Sequence, residues 1–243
     1  MVLEQLKDIL FIDIETVPTQ PDFSHLSDGM QAEWTRKAKF VKSVTEGNTD
    51  PAALFGERAG IFSEFAKVVC IGFGSLHTQD NALRMRLKAL VNDNEKILLT
   101  DFCEVLGKFT QHYKELRFCG HNIKEFDIPF LCRRMVINGM SLPKCMDAAG
   151  KKPWEVSHLD TMEMWRFGDH KNFTSLSLLA AVMGIPSPKT DLDGSMVASV
   201  YWHDKDLARI ANYCMNDVLT SARVFLKLKG IYDAEIEPVF VNE

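Results

Sequence analysis

Ile9-Leu10-Phe11-Ile12-Asp13-Ile14-Glu15-Thr16 is the stretch that decides how the rest of the chain is read. It is an apolar, β-branched run of strand length with Gln20-Pro21 a few residues beyond it, which predicts a buried central strand. Side chains of a strand alternate between its faces, so Asp13 and Glu15 point the same way near its carboxyl end. Two carboxylates that close repel, and burying them is costly unless they are paired or coordinated to a metal. Two readings stay open from this stretch alone. Either the strand ends at Asp13 and both acids are solvated turn residues, or the acids meet a counter-charge brought from elsewhere.

The chain has 243 residues, 46% of them hydrophobic, which is enough for a sizeable core. No apolar run approaches the roughly 18 to 20 residues that a bilayer span requires, so no membrane association is expected. Residues 1–7 carry Glu4 and Lys7 and run into the strand without a small-residue cleavage site, against a signal peptide. The six cysteines (70, 103, 119, 132, 145 and 214) form no Cys-x-x-Cys pair and have no histidine partner at zinc spacing. That usage predicts a reducing, cytoplasmic setting. A net charge of −5 argues against a broad basic surface for duplex DNA. If the substrate is nucleic acid, divalent cations should supply much of the charge compensation at its phosphates.

Residues 17–65 read as a mostly helical insertion, with helix starts at 27–34 and at Asp50-Pro51. Residues 68–74 and 83–90 read as two strands of a hairpin, and 95–113 as an amphipathic helix. A short strand at 116–122 leads to a helix with Pro129 in its first turn, which puts Asp127 at or beside the N-cap and makes capping its ordinary role. A weaker fifth strand is expected at 155–162. A helix opening near Ser175 and stopping at Gly184-Ile185-Pro186 follows, then a long helix from about 204 to 228. The acidic end after Tyr232 is expected to be loosely held. The order implies a single α/β domain over 1–243: a mixed five-stranded sheet flanked by helices, with the helical insertion after strand 1.

On the last helix Tyr213 and Asp217 are four apart and share a face. With Asp13, Glu15 and Asp127 they give four carboxylates and a phenol. Four acids without matching bases suit hard divalent cations held through oxygen. Two Mg²⁺ or Mn²⁺ ions about 4 Å apart can clamp the attacking and leaving oxygens of a phosphodiester. Asp160 could support this set from behind or simply hydrogen-bond a strand end. Phe126, Trp154 and Trp165 could stack on bases, although such aromatics are more often core. Lys151, Lys152 and Lys189 could neutralise phosphates or be solvated surface charge.

Three segments resemble the motifs of the DEDD 3′–5′ exonucleases of the ribonuclease H-like fold: Phe11-Ile12-Asp13-Ile14-Glu15-Thr16, Asn122-Ile123-Lys124-Glu125-Phe126-Asp127, and Tyr213-Cys214-Met215-Asn216-Asp217. Tyr213, with Asn212 at the histidine position, points to the tyrosine (DEDDy) branch. Together with Asp191-Leu192-Asp193-Gly194, the pattern is similar to stand-alone predicted exonucleases related to the proofreading domain of family B DNA polymerases. The resemblance implies a ribonuclease H-like sheet and two divalent cations, Mg²⁺ or Mn²⁺, held by Asp13, Glu15, Asp127 and Asp217. Asp13 would bridge both ions, and Tyr213 would orient the nucleophile. Thr16, Asn122, Phe126 and Lys189 are candidate substrate contacts. The implied reaction is hydrolysis of single-stranded DNA from the 3′ end to nucleoside 5′-monophosphates. An exoribonuclease of the same fold, or a non-catalytic nucleic-acid-binding scaffold, are the alternatives. The intact acidic set weighs against the scaffold.

Overall fold

Strand β1 (Ile9–Pro18) lies inside a mixed sheet, with pairing on both sides. A computed structural model describes residues 6–44, 47, 49–169, 173–186 and 191–241. On one side β1 runs antiparallel to β2 (Ala66–Gln79), which runs antiparallel to β3 (Ala82–Val91). On the other it is parallel to β4 (Arg117–Gly120), and β4 is parallel to the two-residue β5 (Leu159–Asp160). A sixth strand, β6 (Ile236–Phe240), pairs parallel with β3, giving the order β5-β4-β1-β2-β3-β6. The α/β class and the mixed sheet with flanking helices are as expected, and the topology is compatible with the ribonuclease H-like exonuclease fold.

The insertion after β1 carries α1 (Asp28–Ala38) and α2 (Pro51–Arg58), the latter with proline in its first turn and Asp50 capping the amides of Ala52 and Ala53. It builds an apolar cluster of its own around Trp34, which is fully buried against Phe55, Phe62 and Phe65. Helix α3 (Glu95–His112) and helix α4 (Asp127–Ile137) cover one face of the sheet, meeting Leu10, Ile12 and Ile14 of β1. Beyond β5 come α5 (Thr161–Arg166), α6 (Leu176–Val182) and α7 (Val197–Ser199), the last continuing into a π-helical turn at Val200–Asp204. Helix α8 (Leu207–Leu228) covers the opposite face, where Phe11 meets Phe225 edge-on at 5.6 Å. Alternation along β1 therefore sends Asp13 and Glu15 towards α8.

Three expectations are corrected. The sheet has six strands rather than five, because the segment after Tyr232 is paired. Only Ile236 of β6 is buried, and Arg84 bonds Glu237 at 2.9 Å, so an edge strand with one apolar anchor and a proline left no alternating signature. The fifth strand is two residues long instead of spanning 155–162. Asp160 accepts the amides of Met162 and Glu163 and so starts a helix where strand was expected. The β2–β3 hairpin is present but longer than expected: β2 continues past residue 74 to Gln79, and the connection is a two-residue turn at Asp80-Asn81, both with positive φ.

Two features hold the layers. Gly72 of β2 lies directly under α8: a Cβ there would sit 2.7 Å from Cys214 Sγ and 3.2 Å from Val218 Cγ2. On the other face Glu95 accepts from Arg134 Nε and Nη2 (2.8 and 2.6 Å), from the Val68 amide (2.8 Å) and from Asn138 (2.8 Å). Arg134 Nη1 reaches the Ser63 carbonyl at 2.8 Å, so this buried pair ties α3 and α4 to β2 and to the end of the insertion. No helix among the described residues is long and apolar enough to cross a membrane.

Gly72→Ala should cost about 1–3 kcal/mol through overpacking. Glu95→Ala should cost about 3–5 kcal/mol, because it leaves the Arg134 guanidinium buried without its partner. Urea titration of each variant measures both costs. An unchanged midpoint would remove the corresponding role.

Candidate active site

Asp13 and Glu15 project from the last regular stretch of β1. Immediately after them the register with β2 jumps, from Glu15↔Cys70 to Thr16↔Val68, so a bulge ends the acidic pair. Glu15 is buried at 8% exposure and Asp13 is half-buried, which removes the solvated-turn reading. Ligating atoms of Asp13, Glu15 and Cys214 all lie within 4.8 Å of one another. The Cys214 thiol donates to the Asp13 carbonyl and to Asp13 Oδ2, each at 3.4 Å. Burial, then Cys70 and the Asp13 and Glu15 charges, push that thiol well above its ordinary pKa, so it is an S–H donor here.

Asp127 is the first residue of α4 and is buried; the cap position belongs to Phe126, whose side chain makes no capping bond. Its Oδ1 accepts the Ile14 amide at 3.1 Å. That amide is available because pairing of β1 with β4 stops at Phe11↔Cys119, and Ile14 lies beyond the end of the shorter strand. The third carboxylate is thereby pinned to the backbone between the first two. Asp217 and Tyr213 arrive one helical turn apart on the same face of α8, each shifting the other's ionisation.

The electrostatics show that these groups face one another. Burial raises Asp13 well above its ordinary value, and Glu15, Asp127 and Asp217 add to the shift. Burial likewise raises Glu15, helped by Asp217 and Asp127. Asp127 is lifted to about 7 by burial, against the pull of its own amide and that of Ile14. Asp217 is lifted to about 6 by burial, against the pull of Tyr213. The Tyr213 phenol is raised far above its usual range by burial and then by Asp217, Glu15 and Asp13. Among the described residues no lysine, arginine or histidine acts on the four carboxyls. An all-oxygen, anionic donor set with no internal counter-charge fits hard divalent cations.

The other candidates separate clearly. Asp160 is buried, and its carboxylate accepts the amides of Asn122 and Lys124 (both 3.0 Å), Met162 (2.9 Å) and Glu163 (3.3 Å), so it joins the turn before Asp127 to α5. Asn122 sits in that turn with φ +65°, and its Oδ1 is buried with no hydrogen-bond partner among the described residues. Thr16 donates its hydroxyl to the Gly60 carbonyl at 2.7 Å, tying the end of β1 to the insertion. Phe126 packs against Phe130 at 5.3 Å, at the edge of the core. Trp154 and Trp165 are 77% and 37% exposed, against the expectation of core positions. Lys151 and Lys152 are exposed, with Lys152 over the Trp154 ring. Lys189 lies outside the described residues. Cys214 and the reach of Asp160 are what the sequence reading missed. Cys214 shares the inner face of α8 with Ile210 and Val218, a phase that aims it at β1.

Without a cation the raised carboxyl values fix the sign of the pH dependence. The folded protein takes up protons as pH falls through about 7 and about 6, while the unfolded chain waits until near 3.8. Stability in chelator should therefore rise as pH is lowered from about 8 to about 5, and saturating Mn²⁺ or Mg²⁺ should raise the melting temperature most at the alkaline end. Asp217→Asn should be more stable than wild type in chelator at pH 8. Calorimetric scans across pH check all three outcomes, and a melting temperature indifferent to both pH and cation would contradict them.

No curated protein matches the chain significantly. A family model described as "Predicted 3'-5' exonuclease related to the exonuclease domain of PolB" matches residues 61–238. That stretch holds the Asn122–Asp127 turn and the Tyr213–Asp217 pair, while β1 precedes it and joins it through pairing with β2. With most of its length matched, and with its sheet compatible with that fold, the chain belongs to the family of predicted 3′–5′ exonucleases related to the PolB exonuclease domain.

Proposed function

We propose that this protein is a metal-dependent 3′–5′ exonuclease that hydrolyses single-stranded DNA from its 3′ end and releases nucleoside 5′-monophosphates. The observation that carries this reading is the grouping of Asp13 and Glu15 on β1 with Asp127, which bonds the amide between them, and Asp217, which raises both, while among the described residues no cationic side chain acts on the four. Asp13, Glu15, Asp127 and Asp217 would hold two divalent cations, Mg²⁺ or Mn²⁺. When bound, such cations neutralise charge on a phosphodiester and make water acidic enough to attack at neutral pH.

The chain's own residues set the geometry. The Asp127 bond to the Ile14 amide fixes that carboxylate against β1. The Cys214 thiol steadies Asp13 from behind. The raised Tyr213 phenol keeps its proton at neutral pH, so its oxygen orients the attacking water by hydrogen bonding and does not act as a base. Two of the backbone bonds of Asp160 hold the turn that delivers Asp127, and the other two cap α5. Asn122, whose buried Oδ1 has no hydrogen-bond partner among the described residues, is a substrate contact in this reading. Phe126, next to Asp127 in the chain, and Lys189 complete the candidate contacts. The residues 1–243 act as one exonuclease domain, its insertion fastened to the sheet through Thr16–Gly60 and Arg134–Ser63. All six cysteines are free thiols, which supports a reducing, cytoplasmic setting.

Digestion of a 5′-labelled single strand with Mn²⁺ should give a ladder shortened from the 3′ end, and a matched RNA strand should be cut more slowly. Asp13→Ala and Asp217→Ala should each lower the rate at least about 10²-fold, with a smaller loss for Tyr213→Phe. A wild type without a ladder, or carboxylate variants that digest at the wild-type rate, would overturn the proposal.

A further inference from the structure

Helix α5 ends in aromatic side chains that the core does not use. Trp165 is 37% exposed and Phe167 is 85% exposed, with their rings edge to face at 6.4 Å. Phe167 has a left-handed backbone (φ +45°) and is followed by Gly168 at φ +92°. A bulky aromatic residue pays strain in that region, and here its ring is turned out to solvent with no burial to offset the cost. A third ring, Phe173, is 67% exposed a few residues on, and the carbonyl of the next residue, Thr174, bonds His121 Nε2 at 2.8 Å.

This group is mechanically joined to the candidate site. α5 starts at the carboxyl end of β5, which is parallel to β4 and, through it, to β1; the three strands end at the same edge of the sheet. Along its length α5 is fastened to the turn before Asp127: Asp160 binds the Asn122 and Lys124 amides, Glu163 binds Lys124 Nζ at 2.7 Å, and Glu125 binds Arg166 Nη1 at 3.0 Å. Its other side packs on α8, the helix of Tyr213 and Asp217. The exposed aromatic pair therefore closes the helix that begins at the carboxyl end of the parallel strands, the edge at which open α/β sheets bind ligands.

We propose that Trp165 and Phe167 form a stacking ledge for the unpaired bases of a single strand, on the 5′ side of the bond being cut. The inference rests on the nuclease reading for its substrate. A site built of four carboxylates, in a chain of net charge −5, gains little affinity from phosphate neutralisation by its own side chains. Base stacking on aromatic faces supplies affinity without basic residues, and does so for any base. It requires unpaired bases, so the ledge favours single strands over duplex.

The experiment compares wild type with Phe167→Leu and Trp165→Leu. Affinity for a labelled oligothymidine is read by fluorescence anisotropy in Ca²⁺, and turnover in Mn²⁺ is followed on the same strand and on the p-nitrophenyl ester of thymidine 5′-monophosphate. Each variant should weaken oligothymidine binding and raise its KM about tenfold, with kcat on the strand and hydrolysis of the small ester unchanged. A strand of equal length lacking its bases should bind wild type and variants alike, a result that misfolding or displacement of Asp127 would not give. Unchanged oligothymidine affinity in both variants would overturn the ledge and leave its aromatics to a protein contact. Equal losses on the abasic strand would also overturn it. If wild type binds the strand in a base-dependent way that the variants lose, yet hydrolyses neither substrate, the ledge stands and the nuclease reading falls.

Discussion

Repulsion among buried carboxylates at the carboxyl end of β1 is the constraint to which the rest of the molecule answers. Burial and mutual proximity raise Asp13, Glu15, Asp127 and Asp217 together, and among the described residues no cationic side chain relieves them. Such a cluster survives only if the surrounding packing is strong enough to hold it. The packing is visible on both faces. Gly72 lets α8 close onto β2, so that Cys214 and the Tyr213–Asp217 pair reach β1. On the far face the Glu95–Arg134 pair locks α3 and α4, and with α4 its first residue, Asp127, against the sheet.

The third carboxylate shows how secondary structure and chemistry are joined. β4 is shorter than β1, so the Ile14 amide has no strand partner on that side. Asp127 satisfies it and, in doing so, fixes its own position relative to Asp13 and Glu15. Asp160 has a similar role farther from the cluster. It ends β5, caps α5 and holds two amides of the turn leading to Asp127, so one buried carboxylate coordinates three pieces of backbone. The Trp165–Phe167 ledge inherits its position from the same bonds, which links strand binding to the geometry of the cluster.

Much of this was legible in the residues. The alternation in β1, the Tyr213–Asp217 spacing and the amphipathic run of α8 led directly to the face on which the acids meet. The insertion was readable from Asp50-Pro51 and the turn-rich residues around it. β6 was not, because an edge strand with one buried residue carries no periodic signal. The shortness of β5 was hidden as well, since a carboxylate capping a helix and a polar strand end look alike in sequence. The same ambiguity made Asp127 look like a cap, when its bond is to Ile14, 113 residues away along the chain.

The sequence by itself determined the fold class, the strand bearing Asp13 and Glu15, and the shared face of Tyr213 and Asp217, because periodicity and short-range spacing are properties of neighbouring residues. Tertiary structure alone decided which groups touch. The Asp127–Ile14 bond, the Cys214 contact with Asp13, the Asp160 hub and the outward turn of Phe167 all depend on where separate elements stop and how closely they approach. Strand length, a missing Cβ at Gly72 and a left-handed residue after α5 set those distances, and none of the three leaves a periodic trace in the chain.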